Sequence, residues 1–191
     1  MPTNDVTGII LAGGKATRMN GIDKGLIQIE GKTIIEILLA ELQPIVNEII
    51  IVSNSSAYNF LNRKVCKDIF QNKGPLAGIH SGIYHSNSVS NIIVGCDMPF
   101  LSSLLFNKLL KHGDKSNIVT AKYKGKIEPL CGIYNKQTLP NIERSIQNDR
   151  LKLTDFVKEQ DHYFVEFQES DFMKKKNPFL NLNSLDDLNF I

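Results

Sequence analysis

The run Ile49-Ile-Ile-Val52 constrains the chain more than any other feature, because four β-branched residues follow one another with no polar alternation. A strand with one wet face alternates apolar and polar residues, whereas an unbroken run belongs to a strand covered on both faces, as in a parallel sheet between helix layers. Thr7-Gly-Ile-Ile-Leu11 and Asn91 to Cys96 are strands of the same kind. Helical patterns lie between them. Thr33 followed by Glu36 makes a capping box, and Ile34, Ile37, Leu38 and Leu42 repeat at helical spacing until Pro44. Asn54 or Ser55 caps a short helix through Leu61, and a weak strand spans Lys64 to Asp68. Gly74-Pro75 opens a helix through about His85, and Ser102 caps another over Ser103 to Leu110.

The alternation changes after this point. Asn117 to Tyr123 and Lys126 to Tyr134 flank a turn at Lys124-Gly125 and predict a hairpin. Thr138 to Gln147 and Leu151 to Glu159 read as helices, Tyr163 to Phe167 as a strand, and Ser184 with Asp187 as the start of a final short helix. Leu26 to Ile29 counts as a minor hairpin piece. The expected fold is α/β: an open, Rossmann-like, doubly wound, mostly parallel sheet with a later antiparallel portion, in one domain over residues 1–191. In such a sheet the chain runs outward and then returns, so the first and fourth strands become neighbours. The loop Ala12 to Gly25 would then meet Asp97 at the crevice where these sheets bind ligands.

Composition limits the partners. Among 191 residues, 22 are basic and 20 acidic, and a net charge of +2 creates no broad field to hold nucleic acid or an anionic membrane. Any anion must be bound locally. Cys66, Cys96 and Cys131 are odd in number and widely spaced, which argues against a disulfide framework or a zinc knuckle. No stretch approaches the ~20 apolar residues of a membrane span. A cytoplasmic protein is expected.

Two motifs carry chemistry. Leu11-Ala-Gly-Gly14 leads into Lys15, Arg18 and Lys24, so adjacent glycines allow close backbone approach while three cations gather in one loop. This predicts a polyphosphate site. The glycine spacing differs from G-x-G-x-x-G, and no acidic residue ends the second strand, which disfavours a nicotinamide cofactor. Gly25 and Gly31-Lys32-Thr33 are one residue too far apart for a P-loop. Gly78-Ile-His-Ser81-Gly82 has its serine one place late for a nucleophile elbow. His80 and His85 lack a second pair for a metal, and Lys174-Lys175-Lys176 is a solvated run. The second motif is Asp97, a carboxylate at the end of a buried strand, steadied by Pro99 and facing a basic loop. Magnesium favours such a place, with one or two carboxylates plus phosphate oxygens.

These residues resemble the molybdenum cofactor guanylyltransferases, the MobA family. Leu11-Ala-Gly-Gly14 with Arg18-Met19 and Asp23-Lys24-Gly25-Leu26 resembles the family's nucleotide loop, and Gly74-Pro-Leu-Ala-Gly78 its second glycine motif. Cys96-Asp97-Met98-Pro99 resembles its metal-binding turn, and Asn181-Leu-Asn183 its C-terminal asparagine motif, although Ser184-Leu185-Asp186 replaces the more usual Thr-Pro-Glu. The resemblance implies that Leu11, Ala12, Gly13 and Gly14 line a GTP site, with Gly74 and Gly78 belonging to it. It further implies that Lys24 and Arg18 meet phosphates, that Asn54 and Asp68 contact the nucleotide, and that Asp97 binds both nucleotide and Mg2+. Asn181 and Asn183 are implied to serve the acceptor or a second metal.

The implied reaction moves GMP from GTP to the phosphate of molybdenum-molybdopterin, with transient contacts to proteins that deliver or receive the cofactor. Leu-Ala-Gly-Gly favours guanine over the Leu-Ala-Ala-Gly of cytidylyl relatives. The alternatives are a transferase using CTP or a sugar phosphate, and a module that binds GTP without turning it over.

Overall fold

A computed structural model describes residues 5–13, 23–172, 176–182 and 187. The first strand, β1 (Val6–Leu11), is followed by a small hairpin, β2 (Gln28–Ile29) and β3 (Lys32–Thr33), and then by α1 (Ile34–Leu42). Glu30 and Gly31 turn the hairpin with φ of 51° and 81°, left-handed values that suit a tight two-residue connection. Next come β4 (Glu48–Val52), a 3-10 segment (Ser56–Leu61), β5 (Lys64–Cys66), α2 (Gly74–His85) and β6 (Ser90–Gly95). The later half holds α3 (Ser103–Leu110), β7 (Ile118–Tyr123), β8 (Lys126–Asn135), α4 (Leu139–Gln147), α5 (Leu153–Glu159) and β9 (His162–Phe167).

The main sheet has the order β5-β4-β1-β6-β8-β7-β9. Strands β5, β4, β1 and β6 are mutually parallel, β8 is antiparallel to β6 and β7, and β9 returns parallel to β7. The first and fourth large strands are therefore neighbours, as the winding rule requires. This is the open, doubly wound sheet with a later antiparallel portion that the sequence predicts.

Both faces are covered, and the β-branched runs explain why. Ile10, Ile49, Ile51, Ile92 and Val94 point into a core shared with Ile34, Ile35 and Leu38 of α1 and Phe106 and Leu109 of α3. Their alternates Ile9, Leu11, Ile50, Val52 and Ile93 point into a second core with Leu76, Ile79 and Ile83 of α2, Ile142 and Ile146 of α4, and Phe156 of α5. Period-two alternation sends each strand into two dry layers at once.

Local signals are met with small shifts. Thr33 and Glu36 form the capping box, with Glu36 Oε2 2.8 Å from the Thr33 amide. Ser55, rather than Asn54, caps the 3-10 segment by accepting from the Ala57 amide at 3.1 Å. Ser102 stands at the N-cap position of α3 but makes no side-chain cap bond. Glu41 of α1 does so instead, accepting from the Ser103 amide at 2.7 Å, so a tertiary contact satisfies the helix start. The expected helix at Ser184 lies outside the described residues.

Pairing shifts between β7 and β8: Thr120 faces Gly132, while the next residue, Ala121, faces Glu128. The surplus residues 129–131 bulge, and Pro129, which cannot donate to a ladder, lies within them.

Helix α2 lies close on the sheet because Gly82 has no side chain. A Cβ there would meet Ile9 Cγ2 and would lie 3.2 Å from Val52 Cγ2. Gly82→Val is expected to lower stability by about 1–3 kcal/mol through overpacking, measured by urea denaturation against wild type. An unchanged midpoint would mean that α2 can lift off the sheet at little cost.

Candidate active site

The carboxyl ends of β1, β4, β5 and β6 meet on one edge, and β1 is fastened there on both sides. The Ala12 amide donates to Val52 O at 2.9 Å, and the Cys96 amide donates to Leu11 O at 3.2 Å. Leu11 turns its side chain toward α2, where a Cβ on Gly78 would lie 3.3 Å from Leu11 Cδ2 and 3.7 Å from Asp68 Oδ1. The second glycine motif thus packs against the first through the absence of a side chain.

Asn54 and Asp68 come from loops after adjacent strands and bond reciprocally. Asn54 Nδ2 donates to Asp68 Oδ2 at 2.8 Å, and the Asp68 amide donates to Asn54 Oδ1 at 3.0 Å. Burial raises the Asp68 carboxyl above its ordinary range, and the Asn54 bond opposes this. Gly74 starts α2 with a φ of 68°, a left-handed value that favours glycine, and Pro75 occupies the first turn. Ser81 is buried, accepts from the Ile69 amide at 2.8 Å and donates to Ala77 O at 2.9 Å. It ties the Asp68 loop to α2 and is no nucleophile. His80 is likewise a core histidine, 3.0 Å from Glu143 and packed on Phe70.

Lys24 begins a short 3-10 turn, Lys24–Leu26, whose start is held by Asp23. Asp23 Oδ1 accepts from the Gly25 amide at 3.2 Å and from the hydroxyl of Tyr58. Tyr58 is fully buried, and Gly25 lies beneath its ring. These contacts anchor the turn from the β4 side and bring the Lys24 charge toward Asp97.

Asp97 follows β6. Its Oδ1 is buried without a hydrogen-bond partner, and it occupies space that a Cβ on Gly95, 2.7 Å away, would deny it. Burial pushes its carboxyl above the ordinary carboxylate range, while Lys24 and, more weakly, Lys126 pull it back. An orphaned anionic oxygen is costly unless something positive completes it. Among the described residues no three His, Cys, Asp or Glu groups cluster as a metal cage. One carboxylate, with the remaining ligands left to phosphates and water, fits a hard divalent cation. The C-terminal segment reaches the same turn: the Leu182 amide donates to Asp97 O at 2.8 Å, and Leu182 is buried. Asn181 is therefore next to Asp97.

Leu11, Ala12, Gly13, Lys24, Asn54, Asp68, Gly74, Gly78, Asp97 and Asn181 thus gather along one edge of the sheet. Gly14, Arg18 and Asn183 lie outside the described residues. The sequence reading missed two groups, Tyr58 and Glu128. Tyr58 leaves no local signature, because its partner is 35 positions away. Glu128 is buried next to the bulge and feels the charge of Asp97. Its signal was present: a carboxylate followed by Pro129 inside an apolar strand marks a break in pairing.

A doubly wound sheet with Ala12, Gly13, Asp68 and Asp97 at the carboxyl ends of its parallel strands has the crevice at which α/β proteins of this class bind ligands. The model for the MobA-like NTP transferase domain matches residues 8–163. A protein of Flavobacterium johnsoniae named probable molybdenum cofactor guanylyltransferase is 35% identical over 185 residues, covering 96% of this chain and 95% of the relative. One of the same name from Carboxydothermus hydrogenoformans is 34% identical, covering 94% and 91%. Among solved structures, the molybdopterin-guanine dinucleotide biosynthesis protein A of Archaeoglobus fulgidus shares the fold with a TM-score of 0.80 at 23% identity, covering 96% of this chain and 95% of its own. The chain belongs to the MobA-like NTP transferase family and is a nucleotidyltransferase.

Gly25→Ala is expected to displace the Lys24 turn, since its Cβ would lie 3.2 Å from Tyr58 Cε1 and Cζ and closer still to the hydroxyl. A loss of about 1–3 kcal/mol should appear in chemical denaturation. Tyr58→Phe in the same chain should restore part of it. A substitution without effect would show that Tyr58 does not hold the turn.

Proposed function

We propose that this chain transfers GMP from GTP to the phosphate of molybdenum-molybdopterin and releases pyrophosphate. The observation that carries the reading is Asp97, whose Oδ1 is buried without a hydrogen-bond partner, which feels the charge of Lys24, and whose backbone carbonyl holds the Asn181-Leu182 segment. The names and high coverage of the relatives support the same substrates. In this reading the backbone of Leu11, Ala12, Gly13 and Gly14 meets the guanine, with Gly74 and Gly78 leaving room for it. Asn54 and Asp68 contact the nucleoside, while Lys24 and Arg18 meet its phosphates. Asp97 would hold Mg2+, and Asn181 and Asn183 would serve the acceptor.

The bond that forms joins an acceptor phosphate oxygen to the α-phosphorus of GTP; the bond that breaks frees pyrophosphate in line with it. A phosphomonoester has its second pKa at ~6, so the nucleophile is largely dianionic at neutral pH and needs no base from the protein. Bound Mg2+ would supply charge neutralisation at the phosphate oxygens. Lys24 and Arg18 offset the charge building on the leaving pyrophosphate, and the fastened end of β1 fixes the donor in line. The cytoplasm is the proposed compartment, in keeping with three free, buried cysteines among the described residues.

Asp97→Asn should reduce transfer by roughly 10²–10³-fold, the usual cost of one lost contact to developing charge. The metal-free variant should be no less stable at pH 7, because it exchanges a buried charge for a neutral amide. Near-normal turnover in magnesium would overturn the assignment. Guanine choice is tested separately, by competition among GTP, CTP and ATP in calorimetry. GTP is expected to win clearly, and equal binding of all three would remove guanine from the reading.

A further inference from the structure

Glu128 is difficult to explain by stability. Its side chain is 8% exposed, whereas the next most buried carboxylate among the described ion pairs, Asp171, is 29% exposed. Its partner Lys126, with Nζ 3.0 Å from Glu128 Oε1, is 66% exposed. Such a pair has one end in water, so its attraction is weakened by solvent, while the buried end keeps its desolvation cost. The charge of Asp97 raises that cost further. Other lysines on this part of the sheet pair with exposed partners, as Lys122 does with Glu166 and Lys124 with Glu169. What a buried carboxylate does that an exposed one cannot is hold a lysine in one place.

That place follows from the topology. The proposed donor residues lie on β5, β4 and β1 or just beyond them, and Lys24 is anchored from the β4 side by Tyr58. Asp97 ends β6, in the middle. The next strand, β8, runs antiparallel to β6, which brings its first residues to the carboxyl end of β6. Leu130, in the bulge, packs there: the position of a Cβ on Gly95 lies 2.7 Å from Asp97 Oδ1 and 3.2 Å from Leu130 Cδ1, and the charge of Lys126 reaches Asp97. Lys126 and Glu128 share a face of β8 as alternate residues, both paired with β7, and the bulge at residues 129–131 separates them from the stretch of β8 that pairs with β6. Two lysines therefore flank Asp97, one from the donor side and one from the side the donor leaves free.

We propose that Lys126, held in place by the buried carboxylate of Glu128, binds the phosphate of the acceptor on the β8 side of Asp97. Lys126 meets the dianion; Glu128 is a positioning residue that touches no substrate. The arrangement keeps the nucleophile's charge compensated without adding a cation to the donor's triphosphate. This inference rests on the reaction proposed above.

Steady-state transfer with GTP and molybdenum-molybdopterin tests it. Lys126→Ala should raise the KM for the acceptor by about tenfold to hundredfold, the worth of one charge-assisted hydrogen bond, with the KM for GTP and calorimetric GTP binding unchanged. Lys126→Arg should recover most of the loss. Glu128→Gln, which keeps size and polarity, should raise the acceptor KM to an intermediate degree with no fall in melting temperature. Lys122→Ala, an exposed lysine on β7, should behave as wild type. An unchanged acceptor KM in Lys126→Ala would overturn the proposal, and so would an equal rise in the KM for GTP, which would place Lys126 on the donor. Failure of the wild-type protein to transfer GMP to molybdenum-molybdopterin would instead overturn the reaction itself, and this inference with it.

Discussion

Strand β1 is paired on both edges and covered on both faces, and the rest of the molecule depends on that confinement. Its parallel ladders to β4 and β6 run in register from Thr7 to Leu11, so that all three strands end together. A parallel strand cannot return by a hairpin, so each crossover must carry its helix over one face before the next strand begins. The switch in winding direction at β1 opens a crevice at the carboxyl ends. Backbone bonds from Ala12 to Val52 and from Cys96 to Leu11 then extend the ladders one step past the strands. Ala12 and the start of the Asp97 turn are placed by these two bonds.

The candidate site is where the fold gives up stability. Asp68, Asp97 and Glu128 are carboxylates whose surroundings favour the neutral acid, in each case chiefly through burial. Each is partly relieved in a different way: Asp68 by Asn54, Asp97 by the charge of Lys24, Glu128 by Lys126. The relief is least complete at Asp97, where one oxygen has no partner. Such incompleteness suits a group whose partner arrives with the substrate. The cores on either side of the sheet, lined by isoleucine, leucine and phenylalanine, can carry that cost.

Much of this was legible in the chain. The capping box at Thr33 and the Gly-Pro start of α2 act over three or four residues, and they appear where expected. The β-branched runs announced strands with two dry faces, and their alternation with helices led to the doubly wound, mostly parallel sheet with β1 and β6 as neighbours. Where local logic failed, a distant residue had taken over. Ser102 has the composition of a cap, yet Glu41 provides the bond, to the Ser103 amide 62 positions away. Asn54 was a candidate cap, yet its amide is engaged by Asp68, and Ser55 takes the cap.

By itself, then, the sequence determined the elements, their order and the loops that bear charge, because β-branching, helix caps and glycine freedom act within a few residues. The tertiary structure decided which groups are paired and which are left without a partner. It put the Tyr58 hydroxyl on Asp23, seated Leu182 on the Asp97 turn, set β9 parallel to β7, and buried Glu128 beside a bulge. Those outcomes depend on strands far apart in the chain packing at van der Waals distance, and no local pattern encodes which distant atoms will fill the last hydrogen-bonding place.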